Sequence, residues 1–489
     1  MEEQHDSIKQ SVAPGASPAH VIITSPTKDL GSGGTTSAIH QITVPLSSHS
    51  SVSLTGIIAH LHVFQQQPTD RPIEDRFSVL VVPAGESGQE PSGSRILLGV
   101  YDGHRGPWAA DYIADTLPAQ VLSTYNNFDL VPPAAQTPRK HDLLPEALER
   151  LPFKKLFEDI DRKMLAAFQD AHRASSDRTR SKARSVLDCL AAKFRKGQTS
   201  GDSSTEAERD PSSGSSKTMD ALNVLSGCTA SMLLVDIPRD STHPASAHII
   251  NLGDSRAVVG TLRPQPRILA TSADANASNG IERDLIASQH PAQKAQDIFV
   301  GGRLFGETLS TRAFGDAMYK LPLRGPSHGR EGTTFSVLTP EERRQHRQYI
   351  KELSAHQQAS KLGLGRIKTI PLVDRYDSLF WGYHSPPYVS AQPDVTAVSL
   401  GEARPSPAAI DSGGIKNVKD VQPSFVGILA SDGLWDLISS EVALQTVHEG
   451  LRLSHHADNE NFAQFLLTRV IEMTGRHPGD DVTIMILVL

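Results

Sequence analysis

Acidic residues sit beside short apolar runs at five places along the chain. They are Glu74 and Asp75 in PIEDR, Asp102 in LLGVYDGHRG, Asp254 in NLGDSRA, Asp432 in LASDGLWD, and Asp480 with Asp481 in GDDVT. A carboxylate at the end of a buried strand is costly unless it is paired or holds a cation. Several of them together also repel one another, and hard divalent cations relieve both costs. Oxygen donors without Cys/His ligand spacing point to Mg²⁺ or Mn²⁺ rather than Zn²⁺. A water held between two such ions ~3.5–4 Å apart becomes a nucleophile near neutral pH, which suits attack on phosphate esters.

Plainer roles stand open beside these. Asp254 fits a turn residue, Asp480 or Asp481 can begin a strand, and Glu74–Asp75 reads equally as a solvated pair. Asp102 and Asp432 lean toward chemistry, since each follows an apolar run and precedes a glycine that lets the backbone approach a ligand. His104 titrates in the range needed to hand a proton to a departing alkoxide. It equally fits a turn histidine hydrogen-bonded to an acid.

Strand candidates supply the elements that would place these residues. They are Phe77–Val82, Ile96–Tyr101, Ser231–Val235, His248–Leu252, Ala257–Gly260, Phe425–Ala430 and Val482–Leu489. The Gly253-Asp254-Ser255 turn predicts a hairpin between two of them. Helices fit Ala109–Tyr125, Leu151–Asp170, Glu441–Leu451 and Phe462–Met473. In the last, Phe462, Phe465, Leu466, Val470 and Met473 recur at helical spacing toward a core. Antiparallel-type strands with a few long helices predict an α+β layered domain.

Composition frames this domain. The 489 residues carry 38% hydrophobic side chains and a net charge of −7, with no basic surface for nucleic acid or a membrane anchor. No apolar run reaches the ~20 residues of a bilayer span. Two cysteines, Cys189 and Cys228, predict a reducing compartment. The amino terminus lacks an apolar signal core, and no arginine precedes Arg71, so neither a secretory nor a transit signal is expected. Residues 1 to about 50, rich in Ser, Thr, Gly and Pro, predict a disordered tail before a domain over 51–489. Polar blocks near 174–217, 325–383 and 401–423 read as insertions, the second with a capping box at Thr339-Pro340-Glu341-Glu342.

In order, the chain carries PIEDR, VYDGHRG, SGCTA, NLGDSRAVVG, STRAFGD, LASDGLWD and GDDVTI. This set resembles the metal-dependent (PPM, type 2C) Ser/Thr protein phosphatases. A narrower resemblance joins ADANASNGIERDLIASQHP and YHSPPYVSAQPDVT to the pyruvate dehydrogenase phosphatase-like branch. The resemblance implies a four-layer α-β-β-α sandwich and a monomeric catalytic domain that hydrolyses phosphoserine and phosphothreonine. A non-catalytic phosphoprotein binder on the same fold is the alternative.

Matched position by position, the family implies that Asp102 bridges two Mg²⁺ or Mn²⁺ ions and that the Gly103 carbonyl ligates one. Glu74, supported by Asp75, reaches one ion; Asp432 and Asp480 hold the other, with Asp481 in support. Asp254 would share a third, weaker ion with Asp432, and His104 would be the general acid. Asp316 either orients the attacking water or fixes its loop. The family's phosphate-gripping arginine falls at Asp70 here, leaving Arg71 one place off as its substitute, and Arg105 stands where small residues are commoner. Cys228 reads as a buried strand residue. The narrower branch implies the phosphorylated E1 subunit of pyruvate dehydrogenase as substrate and a mitochondrial location, with a cytoplasmic one as the alternative.

Overall fold

Along Gly93–Tyr101, Ile96, Leu98 and Val100 point to one apolar cluster and Leu97 and Tyr101 to another, so the strand is buried on both faces. Val482–Val488 behaves the same way: Met485 and Leu487 face one layer, and Ile484 and Ile486 the opposite one. Strands apolar on both faces require cover on both faces. The computed structural model of the chain provides it as four layers, helices–sheet–sheet–helices. It describes residues 21–24, 34–44, 57–68, 73–84, 93–127, 152–177, 226–238, 245–321, 385–401, 425–453 and 461–489.

The first six-stranded sheet holds β1 (Val21–Thr24), β4 (Arg76–Ala84), β5 (Gly93–Tyr101), β8 (Ala230–Pro238), β9 (Ala245–Leu252) and β15 (Asp394–Gly401), in that spatial order. The second runs β11 (Arg267–Thr271), β10 (Arg256–Thr261), β16 (Phe425–Ala430), β17 (Val482–Val488), β3 (Ile57–Gln66) and β2 (Thr35–Val44). Every pairing within both sheets is antiparallel. Short ladders join β6 (Gly103–His104), β7 (Gly227–Cys228) and β14 (Phe314–Gly315), and likewise β12 (Phe299–Val300) and β13 (Arg303–Leu304).

Helices α1 (Trp108–Asn127) and α2 (Pro152–Asp177) cover the first sheet. They use Ile113, Leu117 and Val121 on one and Phe153, Phe157, Ile160 and Met164 on the other. Four short helices follow: α3 (Gly280–Gln289), α4 (Ala295–Ile298), α5 (Ala317–Lys320) and α6 (Asp432–Trp435). Then α7 (Ser440–Leu453) and α8 (Phe462–Thr474) cover the second sheet with Leu444, Val447, Leu466 and Val470. Asn461 caps α8 through Oδ1, which accepts from the Ala463 and Gln464 amides, while its Nδ2 donates to the Val63 and Ala38 carbonyls. No helix of the described residues is long and apolar enough to cross a membrane.

Several expectations change. Residues 21–24 and 35–44 are strands, not part of a disordered tail. Both segments gain ladder bonds by adding to the edges of β4 and β3. Strand β3 was not expected, although Ala59, Leu61 and Val63 alternate with His60 and His62 along it. The Gly-Asp-Ser turn makes no hairpin: β9 pairs with β8 and β15, β10 with β11 and β16, and the turn crosses from one sheet to the other. Met473, in the last turn of α8, is 51% exposed rather than core. The Thr339 capping box, Cys189, Arg71, Asp70 and most of the three polar blocks lie outside the described residues.

Candidate active site

Register gathers the acids at one edge of the sandwich. Arg76 at the start of β4 pairs with Tyr101 at the end of β5, and Ala230 at the start of β8 pairs with Leu252 at the end of β9. In the second sheet, Arg256 pairs with Ala430, and Ala430 with Ile484. The residues just beyond these ends are Glu74–Asp75, Asp102, Asp254, Asp432 and Asp480–Asp481, so six strand ends deliver carboxylates to one place.

Oxygens of Asp102, Asp254 and Asp432 lie within 4.8 Å of one another. Among the described residues, Glu74 and Asp480 lie outside that triplet, yet they belong to its surroundings. The Glu74 amide donates to Asp481 Oδ2 at 2.7 Å, and Glu74 Oε1 accepts the Gly106 N–H at 2.7 Å. The Asp481 amide donates to Asp480 Oδ1 at 3.0 Å. Ser310 Oγ donates to Asp254 Oδ1 at 2.9 Å. A Cβ at Gly103 would stand 2.5 Å from the Glu74 carbonyl oxygen, so that position excludes any side chain. Gly253, at φ 106°, makes the crossover turn and passes close to Thr229.

Electrostatics match this crowding. Burial, then the charges of Asp432, Asp75, Asp480 and Asp254, push the Asp102 carboxyl well above the usual range. Burial raises Asp75 to about 7, with Ser431 and Thr483 hydrogen bonds opposing and Asp480 and Asp432 adding. Asp481 is raised by burial and by Asp75 and Asp480, against the Glu74 N–H. Asp75 Oδ2 is buried without a hydrogen-bond partner. An all-oxygen donor set, mutual repulsion and an orphaned buried carboxylate oxygen fit a divalent cation.

His104 projects from β6, and its Nε2 lies 2.8 Å from Asp316 Oδ2. The sequence left Asp316 and Arg105 undecided; the structure places both beside His104. Arg105 Nη1 donates to Asp316 Oδ1 at 2.5 Å, and Nη2 donates to Tyr319 Oη at 2.7 Å. Burial would raise the Asp316 carboxyl, but the charges of His104 and Arg105 prevail and hold it down at about 2.

Three arginines went unread in the sequence. Arg76 donates from Nη1 to the Ile73 and Asp75 carbonyls, both at 2.8 Å, and fixes the loop that carries Glu74. Arg312 in RAFGD pairs with Glu282 and Asp394 and donates to the Gln392 carbonyl. Arg303 on β13 is partly buried and stands within electrostatic reach of Asp254, Asp432 and Asp480. The partners of Arg312 and the acids near Arg303 are distant in sequence, so no local signal could find them. Cys228 is buried and free, as expected, and burial pushes its thiol up.

Known proteins resemble this chain. The mitochondrial pyruvate dehydrogenase (acetyl-transferring) phosphatase 1 of Pongo abelii is 25% identical over 241 residues, covering 47% of this chain and 32% of its own length. The human mitochondrial phosphatase 2 of the same name is 25% identical over 389 residues, 78% of this chain and 60% of its own. The chain thus spans about a third of the first relative and under two thirds of the second. The solved structure of a serine-threonine phosphatase 2C from Toxoplasma gondii aligns over 92% of this chain and 99% of its own, at 14% identity and a TM-score of 0.36. The model of the family described as Protein phosphatase 2C matches residues 152–423, a span that holds Asp254, Arg312 and Asp316. With more than half of its 489 residues matched, the chain belongs to the Protein phosphatase 2C family.

Proposed function

We propose that this chain is a metal-dependent phosphatase that removes phosphate from phosphoserine and phosphothreonine in proteins. The observation that carries the reading is the convergence of Asp102, Asp254 and Asp432 at the sheet edge, beside the His104–Asp316 pair. Asp102 with the Gly103 carbonyl, Glu74 supported by Asp75, and Asp432 with Asp480 and Asp481 would hold two Mg²⁺ or Mn²⁺ ions; Asp254 and Asp432 would hold a third, weaker one. Such ions, when bound, supply an acidified water and neutralise phosphate charge.

The chain's own groups do the rest. A serine alkoxide is a poor leaving group, and His104 stands ready to protonate it. Arg303 offers a guanidinium for the non-bridging phosphate oxygens, the role that the resemblance assigns to an arginine near Arg71. The non-catalytic alternative would fit a site lacking one of the metal acids, and all of them are present.

The substrate reading is narrower. The two mammalian relatives support phosphorylated pyruvate dehydrogenase as the phosphoprotein, with a mitochondrial location to match. The Glu282 and Asp394 carboxylates and the Gln392 carbonyl, in the segments that carry that branch's sequence pattern, all bind Arg312. They brace the scaffold, so they do not by themselves select a substrate. Purified chain with Mn²⁺ should release phosphate from phosphorylated pyruvate dehydrogenase E1 at least about tenfold faster, in kcat/KM, than from unrelated phosphoproteins. Equal rates on all of them would remove the substrate assignment and leave the phosphatase reading in place.

A further inference from the structure

Arg105 is the residue of VYDGHRG that the family pattern does not explain. It sits at φ 62°, in the left-handed region that favours glycine, and its side chain is only 11% exposed. Asp316 also has a positive φ, 53°, and its carboxylate is fully buried. Two non-glycine residues in that conformation carry a backbone cost, which persists where surrounding contacts over-determine it.

Those contacts are specific. Arg105 takes Asp316 Oδ1 with one nitrogen and Tyr319 Oη with another, and its guanidinium lies 4.8 Å over the Tyr319 ring. The Tyr319 hydroxyl in turn donates a hydrogen bond to Glu307 Oε2 at 2.7 Å. From the other side, Asp161 on α2 accepts the Gly315 N–H at 2.9 Å and the Lys320 ammonium at 2.7 Å. The Asp316 amide donates to the Ser226 carbonyl at 3.1 Å. A Cβ at Gly227 would collide with His104 Nε2 and lie 2.7 Å from Asp316 Cγ. The glycine of SGCTA therefore leaves the space in which imidazole and carboxylate meet.

Asp316 Oδ1 accepts from the Arg105 guanidinium, so we assign the carboxylate as acceptor on its second oxygen too, with the Nε2 of His104 as the N–H of this bond. That leaves Nδ1, on a side chain that is 24% exposed, as the ring nitrogen outside this bond. We propose that Asp316 and Arg105 are positioning residues: Asp316 pins His104 through Nε2, Arg105 locks the second carboxylate oxygen, and the proton given to the leaving group comes from Nδ1. In the step, a water oxygen bonds to phosphorus while the bond from phosphorus to the serine or threonine oxygen breaks. The electron pair goes to that oxygen, which takes the Nδ1 proton, the water's protons leave with the released phosphate, and His104 is left neutral with Nε2–H still on Asp316. Arg105 would be a device of this chain, added to the acids it shares with the family.

The inference rests on the phosphatase reading, and one experiment separates the two. Initial rates with Mn²⁺ are measured on a phosphothreonine peptide, whose alkoxide needs a proton, and on p-nitrophenyl phosphate, whose phenolate leaves without one. Arg105→Gly suits the positive φ, and Asp316→Asn keeps the shape of the carboxylate while removing its charge. Relative to wild type, Asp316→Asn should lower the peptide-to-aryl ratio of kcat by about a hundredfold and Arg105→Gly by about tenfold, within the range of general acid catalysis. Arg105→Lys should recover part of the loss, and neither change should add to His104→Asn. Equal loss on both substrates, an unchanged ratio in Arg105→Gly, or full additivity with His104→Asn would overturn the inference alone. A wild-type chain inert on both substrates would overturn the phosphatase reading itself.

Discussion

At the scale of single residues, the site is built from charges that local sequence can suggest but not connect. The acid positions were legible because each interrupts an apolar run. Asp316, Arg105 and Arg303 were not, since their meaning comes from contacts across the fold: Arg105 and Asp316 are 211 positions apart. Arg303 yields a direct prediction. As a phosphate contact its loss removes a charge-assisted hydrogen bond, so Arg303→Ala should raise KM for a phosphopeptide about tenfold or more and change kcat less. Steady-state kinetics decide it, and an unchanged KM would take Arg303 out of the substrate site.

At the scale of elements, strands and helices were legible wherever apolar period and burial agreed. Phe425–Ala430 and Val482–Val488 are buried throughout and read clearly. Strand β3 did not, because His62 occupies a buried position between it and the first turn of α8. His62 Nδ1 accepts the Phe462 amide at 3.4 Å, a role for neutral imidazole. Burial, then the charge of His60, lowers His62 to about 4; burial lowers His248 on β9 to about 4 against the pull of Asp236.

The sign of the pH effect follows. Between their ordinary value of 6.5 and about 4 the unfolded chain binds more protons at these histidines than the folded one. Their contribution is therefore complete above pH 6.5 and is lost as pH falls through 4. Each histidine should cost on the order of 3 kcal/mol across that window. Urea unfolding at pH 7 and pH 4 should show a smaller acid loss in His248→Gln than in wild type. The same loss in both would show that His248 is not held neutral.

At the scale of the whole molecule, three apolar layers separate four layers of structure, and the acidic edge is where both sheets end together. The layer count followed from the family resemblance; the choice of edge followed from where the acids fall along the strands. What pattern alone could not show is that the Gly-Asp-Ser turn joins the two sheets. A two-residue hairpin and a sheet-to-sheet crossing use the same turn chemistry, and only the pairing partners of β9 and β10 distinguish them. That crossing sets Asp254 between the sheets, against Asp102 from one and Asp432 from the other. The segments of the narrower resemblance likewise turn out to join α3, the RAFGD loop and β15 through Arg312.

The central claim is that carboxylates from both sheets form one cation site that drives phosphate release. The measurement that tests it most directly is phosphate release from a phosphothreonine peptide as Mn²⁺ is titrated into metal-free wild type and Asp102→Asn. Wild type should pass from no turnover to saturation and fall back when EDTA is added. Asp102→Asn should need at least about a hundredfold more Mn²⁺ or show no turnover, because a ligand to the ion is lost. Turnover that survives EDTA, or an Asp102→Asn curve superimposed on wild type, would contradict the account.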